Sequence, residues 1–115
     1  MKRRDTQLIL QIREYLDDHL YATHTIQDLC RRFTINREKL QLGFHELVQS
    51  TVHNYIIRQR IERAAQRLLD SDDSIKAIAL NSGYKKQRSF NKTFKSIFNL
   101  TPAGYRKLHQ QPEEA

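Results

Sequence analysis

The chain is organised around residues 51–71, TVHNYIIRQRIERAAQRLLDS, which predict one long, uninterrupted helix. Thr51 is a favourable N-cap because its hydroxyl can accept a hydrogen bond from an amide of the first turn. Neither proline nor glycine interrupts the segment, and its apolar residues recur at the three- and four-residue spacing of a buried helical face. Those apolar residues are Val52, Tyr55, Ile56, Ile61, Ala64, Ala65, Leu68 and Leu69. The polar run that begins at Asp70 competes for backbone hydrogen bonds and is predicted to end the helix.

Two similar segments flank this helix and indicate an internal duplication. The first, from Thr25, is TIQDLCRRFTINREKLQLGFHELV, and the second, from Ser74, is SIKAIALNSGYKKQRSFNKTFKSIF. If the turn of the second copy holds one additional residue, the apolar positions align in pairs: Ile26 with Ile75, Leu29 with Ile78, Cys30 with Ala79, Leu40 with Phe90, and Phe44 with Phe94. A repeat of this kind indicates that each copy is one structural unit.

The first copy has the pattern of two short helices joined by a turn. Thr25 is predicted to cap the first helix, with Asp28 completing a pattern similar to a capping box. After a turn at Thr34, Asn36 is predicted to cap the second helix, residues 36–48. The inward-facing residues of that helix are expected to be Leu40, Phe44, Leu47 and Val48.

The second copy has the same pattern. Ser74 is predicted to cap its first helix, and Gly83 lies in the turn, where the absence of a Cβ permits a positive φ. The second helix is predicted at residues 87–97, and the residues expected to face inward are Phe90, Phe94, Ile97 and Phe98. Two short helices joined by a turn form a helix-turn-helix, whose second helix enters a DNA groove. The chain therefore has two candidate recognition helices.

Two further helices complete an all-α prediction. Residues 6–20 carry an apolar residue at every fourth position, and Thr101 followed by Pro102 starts a short last helix with proline at its first position. The predicted organisation has two helix-turn-helix subdomains joined by a linker helix. Its parts are an N-terminal subdomain at 6–50, the linker helix at 51–71, a C-terminal subdomain at 72–109 and a flexible tail at 110–115.

The charge distribution favours a polyanionic partner. The 115 residues have a formal net charge of +7, and every charged residue from 76 to 107 is basic. Such an uneven distribution favours a directed nucleic-acid-binding face over a uniformly solvated surface. A helix of about 20 residues is ~30 Å long, and one turn of B-DNA is ~34–36 Å long. The linker is therefore long enough to hold two recognition helices in successive major grooves.

Features of enzymes, metal sites and membrane proteins are missing from the sequence. The single cysteine, Cys30, excludes an internal disulfide, and the five histidines form no motif with metal-ligand spacing. There is no phosphate loop or nucleophile elbow, and no apolar run approaches the ~20 residues of a membrane span. We therefore expect no enzyme activity, cofactor, metal ion or membrane contact.

The second copy and the linker resemble the DNA-binding domain of the AraC/XylS family. That family has an Ile-Ala pair, Gly-Phe or Gly-Tyr, Phe-x-x-x-Phe-Lys and Pro-x-x-Tyr-Arg. The matching residues of the second copy are Ile78, Ala79, Gly83, Tyr84, Phe90, Phe94, Lys95, Pro102, Tyr105 and Arg106. The linker matches through Tyr55, Ile56, Arg60, Ile61, Ala64, Leu68 and Leu69, and the first copy less closely through Leu29, Cys30, Leu40 and Phe44.

The resemblance implies a bacterial transcriptional regulator of seven helices, in which both recognition helices contact double-stranded DNA. The sequence departs from the family pattern at several positions. Cys30 replaces the usual alanine and is expected in the core, and Lys86 stands where an aspartate or serine N-cap is usual. Leu42 occupies a position where arginine or lysine is common. It therefore weakens the first recognition helix or directs it towards thymine methyl groups.

The candidate DNA-contacting residues lie on the outer positions of the two recognition helices. The base-contacting set is Arg37, Glu38, Lys39, Gln41 and Leu42 in the first helix and Gln87, Arg88, Asn91 and Lys92 in the second. Arg88 suits guanine, Gln41 suits adenine, and Glu38 can accept a hydrogen bond from cytosine. Phosphate contacts are expected from Arg31, Arg32, Lys85, Lys86 and Lys95. For Arg37, Glu38 and the lysines, a purely solvated role stays open.

Two other functions stay open beside sequence-specific regulation. In one, the outer surface mainly contacts RNA polymerase or another regulator and DNA binding is weak. In the other, DNA binding is architectural, non-specific and dominated by its salt dependence. We expect a cytoplasmic, nucleoid-associated protein that binds as a monomer, because no dimerisation segment is visible. The chain is either a complete regulator or the DNA-binding part of a larger one, and the operator, effector and sign of regulation stay open.

Overall fold

The computed structural model describes residues 2–110, which form seven α-helices and no β-strand. The helices are α1 (Arg3–Asp18), α2 (Ile26–Phe33), α3 (Arg37–Val48), α4 (Val52–Asp70), α5 (Ile75–Asn81), α6 (Gln87–Phe98) and α7 (Pro102–His109). This confirms the predicted all-α fold with seven helices. The flexible tail predicted at 110–115 lies, apart from Gln110, outside the described residues.

The chain divides into two compact units, Met1–Gln59 and Arg60–Ala115, and the boundary falls inside α4. The first unit contains α1, α2, α3 and the beginning of α4. The second contains the rest of α4 together with α5, α6 and α7. Each unit thus holds one of the two helix pairs predicted from the duplication, α2–α3 or α5–α6.

Hydroxyl and amide side chains begin five of the helices, as the sequence predicts. In each case a side-chain oxygen accepts a hydrogen bond from the backbone N–H three residues later, at 2.8–3.0 Å. The capping residues are Thr25, Asn36, Thr51, Ser74 and Thr101. Such a cap satisfies one of the amides that a helix start leaves without a partner. Lys86, before α6, makes no side-chain cap.

The first unit has a core built from α1, α2, α3 and the start of α4. Its fully buried residues include Ile12 of α1, Leu29 of α2 and Phe44 of α3. The Phe44 ring meets the Tyr55 ring edge-on, with centroids 5.5 Å apart. The Tyr55 hydroxyl donates a hydrogen bond to the Asp17 carboxylate at 2.5 Å, so one tyrosine joins the aromatic core to the end of α1.

The second unit has an aromatic core on the inner face of α6. Phe90 and Phe94 are fully buried, and Phe94 meets Tyr105 edge-on at 5.4 Å. From α7, Arg106 donates hydrogen bonds to the backbone carbonyls of Leu68 and Ser71, at 3.0 and 3.2 Å. These bonds satisfy carbonyls at the C-terminal end of α4, where a helix lacks its own partners. Arg106, one of the residues that match the family pattern, thus joins α7 to the end of α4.

The turns of the two helix pairs differ as the extra residue of the second copy suggests. In the first pair, Thr34 alone adopts a left-handed conformation, with φ 51°. In the second pair Gly83 has φ 94°, and a Cβ placed there would lie 3.4 Å from the Arg60 guanidinium. The positive φ favours glycine at this position, whereas the arginine would be in ordinary van der Waals contact with a Cβ.

The structure corrects three details of the sequence prediction. Helix α1 begins at Arg3 rather than residue 6, because Thr6 lies inside the first turns and donates from both its amide and its hydroxyl to the Lys2 carbonyl. It ends at Asp18, and Leu20 is buried although it lies beyond the helix. Leu47 is 37% exposed instead of inward-facing. Helical periodicity predicts which side of α3 Leu47 lies on. It does not predict whether a neighbouring helix extends far enough along α3 to cover that side chain.

Candidate nucleic-acid interface

Helix α3 exposes all five of its residues that are predicted to contact bases. Its outer residues Arg37, Glu38, Lys39, Gln41 and Leu42 are all exposed. Asn36 holds the start of this helix in place, because its side-chain oxygen accepts the Lys39 amide at 2.8 Å. None of the five outer side chains makes a hydrogen bond or ion pair within residues 2–110, so all are free to contact a partner.

The outer surface of α3 is electrically balanced and has an apolar centre. The positive charges of Arg37 and Lys39 are balanced by the negative charges of Glu38 and Glu46. All four residues are exposed. Leu42 is 63% exposed. It is one helical turn from each glutamate, since residues four apart lie on the same side of a helix. This surface therefore offers hydrogen-bonding and apolar contacts but little net attraction for phosphates.

Helix α6 presents a basic outer surface. Arg88, Lys92 and Lys95 are exposed, and the segment Gln87–Phe98 contains no acidic residue. Gln87 is also exposed, at the first position of the helix. The cations occupy the side of α6 opposite Phe90 and Phe94, which are fully buried. The core thus fixes which side of the helix carries the charge.

Asn91 differs from the other candidates on α6 because it is only partly exposed. Its side-chain oxygen is buried and has no hydrogen-bond partner within the described part of the chain. An unpaired buried acceptor costs free energy. Asn91 lies between the buried inner face of α6 and its exposed cations.

The residues predicted to contact phosphates lie next to the recognition helices. Lys85 and Lys86 are exposed immediately before α6, and Lys95 is exposed in its last turn. Arg31 and Arg32 are exposed in the last turn of α2. The Arg32 guanidinium lies 4.7 Å from the centre of the Tyr15 ring, a cation–π contact that holds this side chain against α1.

Sequence reasoning did not identify a basic recess beside the start of α3. Lys2 and Arg4, at the beginning of α1, line this recess together with Lys39 of α3. The basic N-terminal segment is visible in the sequence. Its position next to a recognition helix depends on how α1 packs against α3. No local pattern in the sequence predicts that packing.

Other kinds of site have little support in residues 2–110. That range contains no group of three or more histidine, cysteine, aspartate or glutamate residues able to hold a metal ion. No helix within the range is long and apolar enough to cross a membrane. Cys30 is a free thiol in α2. It was expected in the core, but it is only half-buried and packs against the core from outside.

A family model and a known relative each match more than two thirds of this chain. Residues 29–108 match the family model described as a helix-turn-helix domain. The raffinose operon transcriptional regulatory protein RafR of Pediococcus pentosaceus is 33% identical over 93 residues, which cover 81% of this chain and 34% of RafR. The chain therefore spans about a third of the length of this relative.

Two solved structures have the same fold. A transcriptional regulator with an AraC-type DNA-binding domain from Chromobacterium violaceum superimposes with a TM-score of 0.84 at 21% identity, covering 97% of this chain and 100% of that one. The DNA-binding domain of AdpA, solved in complex with a target DNA, superimposes with a TM-score of 0.79 at 22% identity. That superposition covers 89% of this chain and 92% of the AdpA domain.

Proposed function

The chain belongs to the AraC-type helix-turn-helix family of transcriptional regulators, and on that premise we propose that it binds double-stranded DNA through the outer surfaces of α3 and α6. The observation that carries the proposal is the surface of α6, where three exposed cations stand opposite a buried aromatic face with no carboxylate among them. Cations on one face of a helix are the electrostatic footprint of a nucleic-acid-binding protein. The DNA bound by the AdpA domain supports the same kind of partner for this chain.

The side chains of α6 suit direct base recognition in a major groove. Arg88 can donate two hydrogen bonds to guanine O6 and N7, and Gln87 and Asn91 are suited to adenine. Lys92, one turn after Arg88, can reach a base or a neighbouring phosphate. Lys85, Lys86 and Lys95 would bind phosphates on either side of the helix and fix its position without specifying a sequence.

Helix α3 would recognise bases with fewer charge-assisted contacts. Gln41 suits adenine, Glu38 can accept from cytosine N4, and Leu42 can pack against a thymine methyl group. Arg37 and Lys39 are further candidates for base contacts, and Arg31 and Arg32 for phosphates. Helix α4 has 19 residues and is ~28 Å long at ~1.5 Å per residue. A DNA turn is ~34–36 Å, and this similarity supports contacts in successive major grooves.

The role of the protein in the cell follows from this proposal. DNA-binding relatives of this family regulate transcription, so we infer a regulator of the same kind, without enzyme activity, that acts in the cytoplasm at the nucleoid. RNA polymerase is the proposed protein partner. We further propose that the chain binds as a monomer, because two unlike recognition helices suit two unlike DNA elements rather than a symmetric site.

The test is selection of bound duplexes from a randomised DNA library at moderate salt, followed by sequencing. Two short enriched blocks about one helical turn apart are expected. Arg88→Ala should abolish enrichment of one block, whereas Lys107→Ala removes an exposed cation of α7 outside the proposed interface and should leave both. Absence of any enriched sequence, with binding that disappears steeply as salt rises, would instead show non-specific architectural binding.

A protein-interaction role for α3 is the second candidate. It is favoured by the exposed Leu42 between Glu38 and Glu46, since two carboxylates oppose a close approach to phosphates. The same selection separates the two roles. A single enriched block that depends on Arg88 would show that α6 alone recognises sequence and would leave the surface of α3 for a protein partner.

A further inference from the structure

The first turn of α1 and the start of α3 enclose a recess of about 540 Å³ that belongs entirely to the first unit. Its apolar lining residues are Leu8 and Phe33, both half-buried, and the buried Ile35. Its cationic lining residues are Lys2 and Arg4 from the start of the chain and Lys39 from α3, and the neutral polar ones are Gln7, Gln11, Thr34 and Asn36. A lining that combines apolar, hydrogen-bonding and cationic side chains matches the chemistry of a sugar-phosphate chain, whose deoxyribose is largely apolar and whose phosphates are anionic.

The cations of this recess are available to a ligand. Lys2, Arg4 and Lys39 are exposed, and their side chains make no hydrogen bond or ion pair with residues 2–110. Asp5 is the one carboxylate in the lining, so the formal charge of the recess is three cations less one anion, or +2. The positive end of the α3 dipole adds to this charge, because the N-terminus of α3 opens into the same recess.

We propose that this recess binds the DNA backbone beside the groove occupied by α3, with Lys2 and Arg4 contacting its phosphates. The proposal rests on the proposed function, in which α3 lies in a major groove. In helix-turn-helix proteins the N-terminal residues of the recognition helix contact base edges, while the first helix of the motif crosses the backbone. Residues of α1 that line the same recess as the start of α3 therefore lie near that part of the DNA backbone. The recess lies at that end of α3, and the basic segment at the start of α1 thus becomes part of the DNA-binding surface.

This additional contact would compensate for the neutral surface of α3. Glu38 and Glu46 cancel the charge of Arg37 and Lys39 on the helix itself. Lys2 and Arg4 would restore the attraction to phosphates from a neighbouring element, so that α3 can keep side chains suited to base contacts. The sequence specificity of α3 and its attraction to DNA would then come from two different helices.

The experiment compares variants by the salt dependence of their affinity for a selected duplex, using the full chain with no tag fused to its N-terminus. Each phosphate contact contributes about 0.9 to the slope of log affinity against log salt. Arg4→Ala and Lys2→Ala should each reduce the slope by about 0.9, and the preferred sequence should not change. Arg13→Ala is the matched control, because Arg13 is exposed on the same helix about two and a half turns later, on the opposite side.

Asp5→Asn gives a test of opposite sign. It removes the one carboxylate of the recess and should raise the affinity, whereas Glu14→Gln, an exposed carboxylate further along α1, should change it less. Circular dichroism checks that the variants keep their helices. If the unchanged protein binds the duplex but Arg4→Ala and Arg13→Ala have equal slopes, the recess does not bind the backbone. If the unchanged protein binds no duplex, the proposed function itself fails.

Discussion

The helix pair α2–α3 of the first unit and the pair α5–α6 of the second have similar interiors but different outer surfaces. From Asn36 onwards the two copies correspond at an interval of 50 residues, as between Phe44 and Phe94. Each of these phenylalanines is fully buried against a tyrosine, with ring centroids 5.5 Å apart in the first unit and 5.4 Å in the second. The interplanar angles, 79° and 73°, are also similar.

The ends of the recognition helices repeat as well. Gln49, the C-cap of α3, has φ 59°, and Asn99, the C-cap of α6, has φ 61°; both are in the left-handed conformation that commonly terminates helices. Two residues later, Thr51 and Thr101 cap the next helix of their unit with equal hydrogen bonds of 3.0 Å. The backbone geometry at the ends of the recognition helices and the phenylalanine–tyrosine contacts are thus the same in both copies.

The outer surfaces have diverged. Helix α3 carries two cations and two carboxylates, whereas α6 carries three cations and no carboxylate. Packing restricts the inner positions, because a buried residue must fit its neighbours, but the outer positions are free to differ. The comparison therefore separates the buried residues of the two helices, which match between the copies, from the outer residues proposed to contact DNA, which do not.

The largest effect is expected from the matched core residues. Phe44→Ala and Phe94→Ala should each lower the free energy of unfolding by about 3–5 kcal/mol, because less apolar surface is buried and a cavity remains. Urea unfolding followed by circular dichroism measures both. Leu42→Ala, at an exposed position of α3, is the control and should cost less than ~0.5 kcal/mol. A large difference between the losses of unfolding free energy in the two variants would mean that the two cores have similar geometry but contribute unequally to stability.

Substitutions on the outer surfaces should distinguish the two recognition helices. Arg88→Ala should weaken binding to the selected DNA by about 1–3 kcal/mol, because it removes the pair of hydrogen bonds that arginine donates to guanine. Glu38→Ala, at the corresponding position of α3, should cost less, since weaker repulsion from phosphates offsets the missing hydrogen bond to cytosine. Fluorescence anisotropy at fixed salt measures both affinities. Equal effects of the two substitutions would contradict the unequal roles of α3 and α6.

A smaller effect is expected where the units use different residues at corresponding positions. Arg106 of the second unit, which holds the Ser71 and Leu68 carbonyls, corresponds to the buried Ile56 of the first. Arg106→Met keeps the aliphatic stem and should lower the free energy of unfolding by about 1.5 kcal/mol, because it removes charge-assisted hydrogen bonds. Gln110 still donates to Leu68 at 3.0 Å, which limits the effect. Lys107→Met is the exposed control on α7 and should change stability little.

Much of the fold follows from local features of the sequence. Threonine, serine and asparagine mark the helix starts because their side chains reach amides three residues later, and the predicted caps Thr25 and Asn36 form these bonds. The fully buried positions Phe44 and Phe94 also follow from helical periodicity. The exposure of Leu47 could not be predicted in this way, because it depends on the extent of neighbouring helices.

The candidate site was less predictable than the fold. Exposure of Arg88 and Leu42 follows from the same periodicity, since they lie opposite the core residues. The partial burial of Asn91 and the position of Lys2 beside α3 result from tertiary packing, which brings together residues distant in sequence. Their proposed contacts with DNA remain predictions that the binding experiments test.

The smallest effect concerns the caps of the two recognition helices. Asn36 caps α3 with its side chain, whereas Lys86, at the corresponding position before α6, makes no such bond. Asn36→Ala should cost about 1 kcal/mol of stability, and Lys86→Asn should gain a similar amount by creating the missing cap. A lysine before a helix N-terminus opposes the helix dipole, so its presence suggests that a phosphate lies there in the DNA complex.

Lys86→Asn should therefore stabilise the protein while weakening its binding to DNA and lowering the salt slope by about 0.9. Lys85→Asn is the matched control, because it removes the same charge one position too early to cap α6 and should give no gain in stability. Urea unfolding and anisotropy titrations on the same preparations measure the two effects. A stabilised variant with unchanged affinity would show that Lys86 does not contact a phosphate, and that the two recognition helices differ in their caps without a consequence for DNA binding.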